Sequence, residues 1–131
     1  MARSESEHPT ELELEILKVL WDESPLPVRE VRMRLAEAGR PLAHSSVITM
    51  LNIMHRKGFL KRRKEGKAFL FSPKVERERV TGRMTRDLVA RVFDGSASAL
   101  VLNLLETADL DADELAELRK LIGRKRKEQQ Q

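Results

Sequence analysis

The sequence predicts a mainly α-helical protein, with an N-terminal winged helix-turn-helix (three helices plus a β-hairpin wing) followed by a C-terminal helical dimerisation region. Three observations carry this. Residues 45–57, SSVITMLNIMHRK, place Val47, Met50, Leu51 and Met54 at i, i+3, i+4 and i+7, one apolar stripe on a helix whose other sides are short and polar. The run after it, FLKRRKEGKAFLF, reads as a hairpin with a basic first arm and a polar tip at Glu65-Gly66. Beyond Pro73 helical spacing returns, and one segment, with Ala99, Leu100, Val101, Leu102, Leu104 and Leu105, is apolar on nearly all faces.

Taken in order, residues 1–9 read as a flexible arm. Thr10 with Glu13 three positions on has the form of a capping box, and Leu14, Leu17, Leu20 and Trp21 give helical spacing over residues 11–22. Pro27 suits the first turn of a second helix, whose buried stripe is Val28, Val31 and Leu35 and which ends at Gly39 and Pro41. The third helix covers residues 45–57 and stops at Gly58 through a left-handed cap. Two short helices and a third joined by a tight turn give helix-turn-helix order, and the hairpin over residues 59–72 closes the domain at 10–73.

A fourth helix is expected over residues 74–93, with Val80, Met84, Leu88 and Val92 every four residues. Asp94-Gly95 breaks it, and Ser96 caps the fifth. Leu110, Asp111, Glu114 and Leu115 form a staple and capping box for a sixth helix ending near Ile122. A helix as apolar as the fifth must be covered on most sides, and three helices of this size cover it poorly. A second subunit is the economical solution, so residues 74–122 are expected to dimerise through Val80, Met84, Leu88, Val92, Leu100 and Leu104. The end, residues 123–131, reads as a disordered basic tail.

With 131 residues the chain holds one ordinary domain, or a small one plus an oligomerisation arm. Aromatic residues are only 4%, so the core must be aliphatic. Cysteine is absent, which excludes disulfides and thiolate metal sites and is compatible with a reducing cytoplasm. No apolar run approaches the roughly 20 residues of a membrane span, and the acidic start MARSESEH lacks the character of a signal peptide. Charge is unevenly spread. Residues 25–74 carry 12 basic against 3 acidic groups, while residues 1–24 carry 2 against 7 and residues 75–122 carry 7 against 10. The positive charge is thus a local footprint around the third helix and hairpin.

That footprint suits double-stranded DNA, with the helix in a groove and the hairpin on phosphate. Ser45, Ser46, Thr49 and Asn52 can donate to and accept from base edges and phosphates. Ser45 equally suits an N-cap. Ile48 either meets a thymine methyl or packs against the second helix. Arg56, Lys61, Arg62, Arg63, Lys64 and Lys67 are dense enough to bind phosphate. His8, His44 and His55 lack paired metal-ligand spacing, so no metal is expected, and His44 is better placed as a DNA-facing donor. Nothing has the form of a nucleophile–base pair or a phosphate-cradling glycine loop, so neither an enzyme nor a cofactor is expected.

The motifs LEILKVLW, PVREV, SSVITMLNIMHRKGFLKRRKEGKAFLFSP, FDGS and DELAELRKLI resemble the penicillinase-repressor family of bacterial regulators, the BlaI/MecI type, over residues 10–122. The resemblance implies a winged helix with a C-terminal helical dimerisation region, binding a palindromic operator as a homodimer and repressing transcription. It also implies, for some members, release when a membrane sensor-protease pathway leads to a cut in the dimerisation region. Where cleaved members carry an Asn-Phe bond, this chain offers Asn103-Leu104. Copper-responsive relatives carry cysteines near the C-terminus, and this chain has none. The competing reading is an adaptor whose winged helix binds an acidic protein. An RNA-binding role is disfavoured by the scarcity of aromatics for base stacking.

Overall fold

The computed structural model describes residues 8–130, so most of the expected N-terminal arm lies outside the described residues. The chain divides into two compact units, the first ending at Thr85 and the second beginning at Arg86. This division falls inside a helix, beyond the Pro73 at which the winged helix is expected to close.

In the first unit, helix α1 (Glu11–Asp22) starts at the expected capping box. The Glu13 N–H donates to Thr10 Oγ1 at 3.2 Å, and the Thr10 N–H donates to Glu13 Oε1 at 2.9 Å. Ile16, Leu17 and Leu20 face the core. Strand β1 (Leu26–Pro27) follows, then α2 (Val28–Glu37) and α3 (His44–Lys57). Strands β2 (Leu60–Glu65) and β3 (Ala68–Pro73) form the hairpin. The sheet runs β1-β3-β2, all antiparallel, with Leu26 opposite Phe71 and Pro27 opposite Leu70.

The two-residue strand β1 has no counterpart in the sequence reading, because two residues show no alternation. It corrects the placement of Pro27, which precedes α2 in extended backbone and belongs to the sheet. Proline cannot donate to a ladder but is tolerated at an edge, and β1 is an edge. The hairpin tip sits one residue later than expected. Glu65 pairs with Ala68, and Gly66, at φ +62°, opens the two-residue turn with Lys67.

The core of this unit is Ile16, Leu17, Leu20, Leu26, Val31, Leu35, Val47, Leu51, Met54, Leu60 and Phe71, with every element from α1 to β3 contributing. Burying each large aliphatic side chain contributes about 1.5–3 kcal/mol. Helix α4 (Arg77–Val92) begins three residues later than expected, after Val75 has been fastened by its carbonyl to Trp21 Nε1 at 2.9 Å. Its first turns belong to the first unit. Val80 is 7% exposed, and Met84 lines a cleft with Leu14, Val19 and Trp21. Both were expected in a dimer seam. The every-fourth-residue pattern runs unbroken through α4, so periodicity could not show that its two ends serve different units.

In the second unit, α5 (Ala97–Thr107) is capped by Ser96, whose hydroxyl accepts from the Ala99 N–H at 3.1 Å. Helix α6 (Ala112–Gln129) starts at an Asp111–Glu114 capping box. It runs past the expected end at Ile122, so most of the tail read as disordered is helical. Lys, Arg, Glu and Gln are good helix formers, and cations favour a helix C-terminus. Neither α5 nor α6 has a buried residue. Val101, Leu102, Leu104 and Leu105 are exposed on α5, and Leu115, Leu118, Leu121 and Ile122 on α6. Asn103 is exposed beside Leu104 on the same helix. Among the described residues, no single helix is long and apolar enough to cross a membrane.

Candidate nucleic-acid interface

Helix α3 turns about 100° per residue, so the direction of each side chain follows from that of Val47. Val47, Leu51 and Met54 are fully buried, and Met50 is half-buried beside them. Ser45, Thr49, Asn52 and Arg56 project from the opposite side as one narrow strip, all exposed. Ser46, also exposed, points roughly a quarter-turn off that strip. Ile48 is 38% exposed on its other flank.

The helix begins one residue earlier than expected, with exposed His44 as its first residue and Ala43 at the cap. Ser45 is therefore inside the first turn and is not the N-cap. No side chain caps this end. The first-turn N–H groups have no intrahelical acceptors, and such groups together with the positive end of the helix dipole favour an anion.

At the other end Gly58 adopts the left-handed conformation, φ +89°. This lets the Phe59 N–H reach back to the Met54 carbonyl at 2.9 Å and turns the chain directly into β2. The Lys74 N–H donates to the Phe59 carbonyl at 2.8 Å and closes the base of the hairpin. The wing is thereby anchored to α3 by the residues joining them.

Side chains alternate along β2. Leu60, Arg62 and Lys64 share one face, where Leu60 is buried and Arg62 lies opposite Phe71 in the register. Lys61, Arg63 and Glu65 share the other, and Arg63 stands 3.9 Å from Glu65 with both exposed. Lys61, Arg62, Arg63, Lys64 and Lys67 are all exposed. Arg62 crosses to α3, with Nη1 donating to Asn52 Oδ1 at 2.9 Å and its guanidinium over the Phe69 ring at 4.5 Å. The eleven nominated polar and basic residues therefore lie on α3 and the hairpin beside it.

Two participants were missed. Phe69 supports Arg62, and the register that puts it beside Lys64 follows once the two-residue turn at Gly66-Lys67 is recognised. Lys57 is the second. It adds to the local basic count but is partly turned to α1, with Nζ 2.8 Å from Glu13 Oε2. Nothing in the sequence marks a pair 44 positions apart. Among the described residues no group of three or more His, Asp or Glu side chains converges as metal ligands would.

Residues 9–124 match the protein family described as penicillinase repressor. The chain is 28% identical over 113 residues to the penicillinase repressor of Bacillus licheniformis, which covers 86% of this chain and 88% of that one. It is 26% identical over 117 residues to the methicillin resistance regulatory protein MecI of Mammaliicoccus sciuri, covering 86% and 91%. Among solved structures it is similar to the PcaV transcriptional regulator of Streptomyces coelicolor, solved with its natural ligand. That similarity is 26% in sequence, with a TM-score of 0.50 over 91% of this chain and 75% of that one.

Proposed function

The chain belongs to the penicillinase repressor family, and from that premise we propose that it is a transcriptional repressor that binds a palindromic DNA operator as a homodimer. The observation that carries this is the strip Ser45, Thr49, Asn52 and Arg56. It is exposed opposite the core stripe of α3, at a helix end without a side-chain cap and next to a basic hairpin. In this reading the reading head spans residues 10–73, stiffened by the start of α4. The strip reads base edges in the major groove, with His44 and Ser46 beside it on α3. Lys61, Arg63, Lys64 and Lys67 hold phosphate, which fixes register without reading sequence.

Dimerisation is assigned to the second unit. Leu88, Val92, Leu100 and Leu104 remain candidates, joined by the exposed leucines of α5 and α6. Val80 and Met84 leave the set because they serve the first unit. Solvent-facing leucines in this number mark an interface on a stable protein.

The test is binding of the full chain to operator and to random duplex at two salt concentrations. A steep salt dependence with a large preference for the operator supports the repressor. Binding indifferent to salt would instead favour an adaptor that grips an acidic protein.

Release by a membrane sensor-protease pathway is part of the same proposal, with Asn103-Leu104 as the bond cut. The Asn103 carbonyl accepts the Thr107 hydroxyl at 2.7 Å within α5, so cleavage requires local opening of that helix. A fragment ending at Asn103 loses the sixth helix but keeps the whole reading head. Two half-sites held by one dimer act at high effective concentration, so its operator affinity should fall by about 10²–10⁴. Full-chain affinity from that fragment would rule out this route.

A further inference from the structure

The outer side of α3 is not wholly polar. His44, Ile48, Asn52 and Arg56 recur every four residues, so they follow one another along a single ridge, and all four are exposed. Successive members are offset by about 40° around the helix. Ile48 is the apolar member of this ridge, 38% exposed, with His44 and Asn52 one turn to either side. Ser45 lies three residues before it on the same side.

The fold gives no reason for isoleucine at this position. Ile48 lies outside the buried core cluster. At an exposed helical position a β-branched side chain loses χ1 freedom that leucine keeps. What branching supplies is direction, since isoleucine in a helix holds one χ1 rotamer about nine times in ten. An apolar side chain already fixed in direction needs little further ordering when it meets another surface. In the major groove the base edges present hydrogen-bonding groups and one kind of methyl, the thymine 5-methyl.

We propose that Ile48 is a specificity-determining residue that reads thymine through its 5-methyl group, at one base pair of each half-site. This rests on the repressor reading above, and it adds an apolar contact to a set of polar readers.

The experiment begins with selection of preferred duplexes from a randomised pool by the full-length protein. Each thymine of one half-site is then replaced in turn by uracil, which lacks the 5-methyl and keeps the same hydrogen-bonding groups. One of these replacements should weaken binding of the unmodified protein by about fourfold, the scale of one buried methyl group. Ile48→Ala should bind the thymine and uracil duplexes equally at that position. Ile48→Val keeps the branched Cβ and should retain part of the discrimination. Alanine favours the helix, so loss of discrimination by Ile48→Ala cannot be traced to a broken α3.

Two outcomes overturn the proposal. Either no uracil replacement weakens the unmodified protein, or Ile48→Ala keeps the full discrimination at every sensitive thymine, which would trace it to duplex shape or another side chain. Failure of the repressor reading looks different, since the unmodified protein would then select no sequence at all.

Discussion

Lys57 and Arg56 are neighbours in sequence and cations on the same helix, yet about 100° of rotation gives them different work. Arg56 faces solvent on the outward strip. Lys57 meets Glu13, whose side chain is 1% exposed and whose other oxygen already closes the capping box of α1. A buried carboxylate needs every partner it has, because losing one leaves charge without compensation. Lys57→Met keeps the stem and removes the ammonium. It should destabilise the first unit by about 1–3 kcal/mol, moderated because Lys57 is 46% exposed and water can take its place. Urea unfolding followed through Trp21 would measure this, and an unchanged midpoint would show the pair to be incidental. The capping box was legible in the sequence because its parts are three residues apart. The ion pair was not, because it exists only after α1 and α3 have packed.

At the scale of elements, helix positions were readable wherever a stop signal coincided with a change of periodicity. The bounds of α1 and the Gly58 turn follow that rule. The misreadings share the opposite cause. β1 is too short to alternate, α4 keeps one apolar period while serving two units, and α6 has no breaker strong enough to end it at Gly123. Within the candidate interface, α3 and the hairpin should divide their labour. Arg63 lies on the face of β2 away from α3, and its contact with Glu65 is exposed and contributes little to stability. Arg63→Ala should therefore weaken binding to all duplexes alike and lower the salt slope by about 1. Thr49→Ala should narrow the gap between operator and random DNA by about 1–3 kcal/mol. Titrations over a salt series, run on both duplexes, separate the two effects. Relaxed specificity from the Arg63 change, with Thr49→Ala silent, would reverse the assignment.

For the whole molecule, charge and apolarity are segregated along the chain. The basic excess lies around α3 and the hairpin, while the exposed leucines lie on α5 and α6. Val101, Leu102, Leu104 and Leu105 are exposed, and the apolarity of α5 on nearly all faces was legible. Which residues of α4 belong to that surface was not, since the answer depends on where the first unit ends. Leu104→Asp, at a side chain 47% exposed in the single chain, should leave the first unit folded and drive the protein to monomer by placing a charge in the covered face. Sedimentation at micromolar concentration tests this against Val80→Ala, which should lower the stability of the first unit without dissociating the protein. A wild-type monomer under those conditions would remove the dimer altogether.

Because α5 and α6 bury no side chain within their own chain, heat should not melt this protein as one body. The first unit owns its core, so its unfolding temperature should stay fixed as the solution is diluted. In the proposed dimer the second gains its burial from association, and its transition should slide downward on dilution by mass action. Calorimetric scans at two well-separated protein concentrations would display one stationary and one moving peak, and the moving one would report the helices that hold the subunits together.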